Sequence, residues 1–246
     1  MPQLISRAVR ALLHPLGLDV VRRHRSPSAT LVGLRAHGIH TLIDVGANVG
    51  DFSRLALRKL PLERIVCFEP LAEPFSKLDA WASRQRPGLV SCFQVALGEE
   101  DGRFAMFRHV DFAPSSSLLA STATNVELYP FTARQEQVSV PVRRLDDVLA
   151  EVDLPLVEPI LVKMDVQGFE DRVLRGGRQT FSRATACILE VILDPLYEGQ
   201  ADFLALANEL HALGLRYAGN LDQAYAPDGH VVYCDPVFVR RGLPDA

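Results

Sequence analysis

The chain lacks any run of apolar residues near the length of a transmembrane helix, so no membrane span is expected. Its four cysteines, Cys67, Cys92, Cys187 and Cys234, form no C-x-x-C pair, and each sits in an apolar, strand-like run. They read as buried free thiols in a reducing cytoplasm, with neither zinc nor disulfides. No H-x-x-x-H spacing occurs, so no histidine metal site is expected. The G-x-S-x-G elbow and the Walker loop are missing as well. Positive charge is not in excess: 26 Lys and Arg against 30 Asp and Glu give a net charge of -4. That leaves no global field for nucleic acid. The apolar patch near the N-terminus is interrupted by His14 and Pro15, and no small-residue cleavage site follows, so a signal peptide is not expected. There is no internal repeat and no low-complexity tract.

What remains is an ordinary globular composition, 48% hydrophobic and 23% charged. At 246 residues the chain can form one large α/β domain or two small ones. Residues 1–36 read as a helical, basic extension (Arg7, Arg10, Arg22, Arg23, Arg25), broken at Ser26-Pro27-Ser28. Such a helix packs on the domain or on the partner of a homodimer; a lid or a membrane-surface contact is the sharper alternative. From His40 strand and helix patterns alternate. Strands are expected over 40–45, 64–69, 90–96, 160–166, 186–193 and 231–240, and helices over 51–60, 72–84, 169–181 and 200–213. Alternation of this kind implies a parallel sheet with right-handed crossovers. The last strand follows a turn at Pro227-Asp228-Gly229 with no intervening helix, which makes it antiparallel. Residues 98–150 break the alternation, with short strands near 104–108 and 137–142. A long excursion in a compact domain reads as a functional cover, here 109–136.

The chemistry concentrates at the expected strand ends. Thr41-Leu-Ile-Asp44-Val-Gly46-Ala-Asn48-Val-Gly50 is a strand, a glycine turn and the start of a helix, the nucleotide-binding corner of α/β folds. A dinucleotide fingerprint starting at Gly46 requires glycine at 48 and 51; the chain has Asn48 and Asp51. A carboxylate at the strand tip repels a pyrophosphate and suits a ligand with a cationic end, such as S-adenosylmethionine. Glu69, about twenty residues past the turn, stands where an acid accepts hydrogen bonds from ribose hydroxyls, with Pro70 redirecting the chain. Ala96 and Leu97, closing the third strand, are candidates for the adenine edge. Lys163 and Asp165 share one face of a buried strand, where neither is tolerated unpaired. Glu190 interrupts an apolar strand and either enters a polar cavity or pairs with Lys163. His109 and His230 lie in loops able to cover the site.

Taken together, Ile43–Gly50, Phe68-Glu69-Pro70, Ala96-Leu97-Gly98, Ser115–Leu118, Arg144–Asp147, Lys163-Met-Asp-Val-Gln-Gly168, Leu189-Glu190, Leu196–Gln200 and Asp235–Arg240 resemble the FkbM family of S-adenosylmethionine-dependent methyltransferases. The resemblance covers roughly residues 34–240. It implies the class I methyltransferase fold: a Rossmann-like α/β, mostly parallel seven-stranded sheet, last strand antiparallel, helices on both faces. The domain then runs 37–246 behind the 1–36 extension. Function follows as O-methylation of a hydroxyl on a small-molecule or glycan acceptor, such as a sugar or secondary metabolite. Asp44, Gly46, Asn48 and Gly50 are assigned to the methionine end of the cofactor, Glu69 and Pro70 to the ribose, Ala96 and Leu97 to the adenine. Asp165 is the first candidate base and Glu190 the second. A magnesium ion on those two carboxylates is a thinly supported option. A methyltransferase-like binding protein without activity is the alternative, and an oxidoreductase is disfavoured by the glycine spacing.

Overall fold

The computed structural model describes residues 26–152 and 154–240, with Leu13 and Pro15; the rest of the expected 1–36 extension lies outside the described residues. Eleven strands occur among them. They are β1 (Thr41–Val45), β2 (Arg64–Phe68), β3 (Val90–Phe93), β4 (Ala96–Leu97), β5 (Gly102–His109), β6 (Gln135–Arg143), β7 (Ile160–Met164), β8 (Ala186–Leu189), β9 (Val191–Ile192), β10 (Leu215–Tyr225) and β11 (Val231–Arg240). The main sheet runs β10-β11-β8-β7-β1-β2-β3, with β9 also on β11. Strands β8, β7, β1, β2 and β3 are parallel, and β11 is antiparallel to both β8 and β10. This is the seven-strand order of a class I methyltransferase sheet with one strand divided. The strand expected over 186–193 breaks at Glu190, so β8 pairs with β7 and β11, while β9 pairs with β11.

Helices cover both faces: α1 (Pro27–Thr30), α2 (Asp51–Lys59), α3 (Ala72–Ala82), α4 (Ala123–Leu128), α5 (Leu145–Glu151), α6 (Glu170–Gly176), α7 (Arg178–Arg183) and α8 (Phe203–Ala212). The helix expected over 169–181 is two helices broken at Gly177. Helix α8 starts later than its pattern suggests, because the Asp202 carboxylate accepts the N–H groups of Leu204 and Ala205 and fixes the cap there. The two-residue period of β1 divides its side chains between two cores. Ile43 and Val45 pack under α5–α8. Leu42 packs under α2, α3 and the 31–39 segment. Asp44 therefore belongs to the α2 face.

Residues 96–143 carry a second, three-stranded sheet, β4-β6-β5. The strand expected over 90–96 stops at Phe93, and Ala96–Leu97 leaves the main sheet to pair with Val142–Arg143. The β5–β6 hairpin carries the long connection 110–134, which folds over the carboxyl ends of β1, β2 and β7.

Candidate active site

The turn after β1 is shaped by a close approach. The N–H groups of Gly46 and Ala47 both donate to the Phe68 carbonyl, at 3.0 and 2.9 Å. Gly46 has φ +75°, and a Cβ there lies 1.9 Å from the Asp165 carbonyl oxygen. Only glycine lets the ends of β1 and β7 meet. Asn48, itself left-handed at φ 48°, donates its backbone N–H to Glu69 Oε2 at 2.9 Å, and Leu71 donates its own to Glu69 Oε1 at 2.8 Å. The Glu69 carboxylate is thus held by two backbone donors, one per oxygen. Burial pushes its carboxyl up to about 7, against the opposing pull of those donors.

Two cavities adjoin at this edge. One is lined by Gly46, Asn48, Glu69, Pro70, Ala96 and Leu97, together with Asp165 and the loop residues Pro114 and Ser116. The other is lined by Phe112, Tyr129, Phe131, Tyr197, Tyr233 and Asn125 around Asp165, Gln167 and Glu190. Asp165 and Pro114 stand in the wall they share.

Lys163 organises the charges. It is the register neighbour of Asp44, its Nζ lies 3.0 Å from Asp165 Oδ2, and it sits 5.8 Å from the centre of the Phe52 ring. Burial acts to discharge it, but Asp165 and Asp44 outweigh that, and it stays protonated. Asp165 keeps 31% of its side chain accessible. Burial acts to raise it, yet Lys163 and the Gln167 amide hold its carboxyl below the usual aspartate range. Glu190 goes the other way: burial, then the neighbouring Asp165 and Asp235 carboxylates, push it well above a normal glutamate. The two carboxyls are thus driven apart, Asp165 toward the anion and Glu190 toward the neutral acid.

A family model for the methyltransferase FkbM domain matches residues 44–217. The chain belongs to the FkbM family of S-adenosylmethionine-dependent methyltransferases. It is 28% identical over 185 residues to the 2-O-methyltransferase NoeI of Sinorhizobium fredii (strain NBRC 101917 / NGR234), covering 71% of this chain and 72% of that protein. It is 31% identical over 171 residues to the 31-O-demethyl-FK506 methyltransferase FkbM of Streptomyces tacrolimicus, covering 57% of this chain and 62% of the other. The crystal structure of methyltransferase FkbM from Methylobacillus flagellatus KT superposes with a TM-score of 0.50 at 16% identity, over 82% of this chain and 44% of that one, a likeness of fold.

Within this FkbM methyltransferase, Gly46, Asn48, Glu69, Pro70, Ala96, Leu97 and Asp165 converge on the first cavity, and Glu190 joins Asp165 at the second. Two of the expected cofactor residues, Asp44 and Gly50, do not line these cavities. Asp44 is fully buried on the α2 face, where its Oδ2 accepts from Ser53 Oγ at 2.6 Å. The strand period turns it beneath the glycine turn, beside Lys163. Gly50 caps α2 at φ +87°, and a Cβ there lies 2.8 Å from Leu78; it lets α2 pack on α3, away from the cavity. Glu190 enters the cavity, and Lys163 takes Asp165 as its ion-pair partner. His109 is fully buried at the end of β5, with Ser115 Oγ 2.6 Å from Nδ1 and Ser121 Oγ 3.0 Å from Nε2. Burial lowers its pKa, so it serves the loop's internal bonding. His230 lies at the β10–β11 turn between Asp194 and Asp228. Among the described residues, no group of three or more His, Cys, Asp or Glu side chains is placed to hold a metal ion, and no described helix is long and apolar enough to cross a membrane. The sequence alone assigned no role to Gln167, Tyr197 or Asp235, although all three lie inside the motifs Lys163–Gly168, Leu196–Gln200 and Asp235–Arg240.

Proposed function

We propose that the protein transfers a methyl group from S-adenosylmethionine to a hydroxyl of a sugar, glycan or secondary metabolite, with Asp165 as the general base. The observation that carries this reading is the position of Asp165 in the wall common to both cavities. The first cavity fits the nucleoside. Glu69 has one backbone donor on each oxygen and a remaining lone pair on each for a ribose diol. Leu71, Val95, Ala96 and Leu97 offer an apolar slot for a purine, and the Asp165 anion stands at the far end, where a cation is favoured. S-adenosylmethionine, when bound, supplies an electrophilic methyl on a sulfonium.

The chain's own residues do the rest. The aromatic walls of the second cavity exclude water and orient the acceptor, so that the reaction gains most from alignment. Asp165, anionic because Lys163 faces it, accepts the hydroxyl proton as the oxygen attacks. Burial and the Asp165 carboxylate push Glu190 toward its neutral form, which lessens the negative charge facing the developing oxyanion. The acceptor class follows the relatives, a 2-O-methyltransferase and a 31-O-demethyl-FK506 methyltransferase. All four cysteines are free thiols, which suits a reducing cytoplasm, and the proposal places the reaction there.

The test is a screen of glycoside and hydroxylated-metabolite extracts with methyl-labelled cofactor, repeated with Asp165→Asn. Label transfer is expected with the wild type and a fall of about 100-fold or more in the variant, with cofactor affinity by calorimetry near wild type. Near-normal turnover of Asp165→Asn removes the base assignment. Cofactor binding without transfer to any acceptor favours a binding protein.

A further inference from the structure

One side chain in this site reaches more of it than any named so far. Gln167 Nε2 donates to Asp165 Oδ1 at 2.8 Å and also to Glu190 Oε2. Its Oε1 accepts from the Tyr197 hydroxyl at 2.9 Å. Both amide hydrogens and the carbonyl are therefore used. The orientation of the amide is set by Asp165: the flipped amide puts its oxygen against that carboxylate. We propose that Gln167 is a positioning residue of the methyl-transfer site, spanning Asp165 and Glu190 with one amide nitrogen, and that Tyr197 is the latch that keeps this amide in place. The proposal rests on the reading of Asp165 as the base.

Three observations support it besides the contacts. Gln167 has φ +57°, a left-handed backbone that side chains rarely adopt. Glycine or asparagine occupies such a position at lower cost, so a glutamine here has its use in the side chain, which the left-handed turn aims back at the sheet edge. Secondly, cationic charge is scarce at the pair. Lys163 is shared between Asp165 and Asp44, and the side-chain partners of Glu190 are the Gln167 amide and the Asp165 carboxyl, neither of them a cation. The amide supplies Glu190 with a donor that carries no charge and leaves Lys163 to Asp165. Thirdly, Tyr197 is buried at 3% exposure, and its one hydroxyl hydrogen is shared between the Ser115 carbonyl at 2.6 Å and Gln167 Oε1 at 2.9 Å. Ser115 belongs to the 110–134 connection, so one hydroxyl ties the carboxyl pair to the segment over it.

Other charges face the pair. Asp235 from β11 raises Glu190, while Asp44, Glu69 and Glu170 lie within electrostatic reach of Asp165. Tyr129, Tyr197 and Tyr233 are held protonated by burial. These are the same in a Gln167 variant, which makes the substitution a clean probe.

Gln167→Glu keeps the shape and replaces the donor by a third carboxyl. In the unliganded protein, carboxyl ¹³C NMR, with Asp165 assigned through Asp165→Asn, is expected to show Asp165 titrating about one pH unit or more above wild type. On an acceptor found by the labelled screen, kcat is expected to fall about 100-fold with the acid limb of the pH profile moved up and KM for S-adenosylmethionine within about twofold. Tyr197→Phe removes only the hydroxyl and is expected to cost about fivefold in kcat, the worth of one hydrogen bond. An unmoved Asp165 titration together with an unmoved acid limb in Gln167→Glu overturns the proposal, as does wild-type kcat in Tyr197→Phe, the arm that decides should Gln167→Glu fail to fold. Should Asp165→Asn stay active, the base reading fails, while the NMR titration, which needs no turnover, still decides whether Gln167 sets the state of the pair.

Discussion

Glu69 shows how burial and hydrogen bonding oppose one another at a single residue. Its carboxyl is 5% exposed, and desolvation favours the protonated form. The Asn48 and Leu71 N–H groups favour the anion, and the balance is a pKa of about 7. Ribose hydroxyls donating to the same oxygens add to the anion's side. Cofactor affinity is therefore expected to fall as pH drops through 7, because protonation turns one acceptor oxygen into a donor. Titration calorimetry with S-adenosylhomocysteine at about pH 6 and pH 8 checks this, and equal affinities at both remove the carboxylate from ribose binding. Glu69→Ala is expected to weaken the cofactor by about 1–3 kcal/mol at pH 8, the range for stranding polar partners in a buried site, and by less at pH 6.

At the scale of elements, the site is where the carboxyl ends of β1, β2, β7 and β8 meet, as in open α/β sheets generally. A tight joint there is Gly46 against the carbonyl of Asp165. Gly46→Ala drives a methyl group into backbone at a left-handed φ, and it is expected to destabilise the fold by about 2–4 kcal/mol while moving Asp165 out of the shared wall. Denaturant unfolding measures the first effect; a variant with wild-type stability and turnover contradicts the geometry. The same elements explain what the sequence made legible. Apolar runs ending in Asp44, Glu69 and Asp165 marked three parallel strands, and the apolar run after the Pro227–Gly229 turn marked β11. Glu190 was legible as a polar interruption, and the structure breaks the strand there. The burial of Asp44 away from the cavities was not legible, because its face depends on which side of the sheet α2 packs, a fact of tertiary structure. Helices α4 and α5 span six and seven residues, too short for a 3.6-residue period to stand out. Gln167 was invisible as a positioning residue because its partner Tyr197 is thirty residues away and its aim depends on a left-handed turn that side chains rarely occupy.

The whole molecule carries an unusual load of carboxyl groups kept above their normal pKa. Burial pushes Glu69, Glu170 and Asp235 up to about 7, and Asp44 and Glu190 move upward for the same reason. Unfolded, these groups titrate near 4. Between about pH 4 and 7 the folded chain holds more protons than the unfolded one, so stability falls as pH rises through that window. Asp165 has a depressed pKa and is ionised in both states there, so it adds no slope. His109 acts in the opposite direction: burial keeps it neutral when folded, which favours folding more as pH rises through the histidine range. It is one group against several. The unliganded protein is therefore expected to lose thermal stability from about pH 5 to pH 8. S-adenosylhomocysteine is expected to raise the midpoint most at the alkaline end, where Glu69 is already ionised for its ribose. Glu69→Gln removes one titrating group and is expected to flatten the slope. Thermal unfolding followed by circular dichroism across this range, with and without S-adenosylhomocysteine, reads all three effects. A midpoint that climbs with pH in the unliganded protein contradicts the buried, proton-holding carboxyls on which the electrostatics of the site depends.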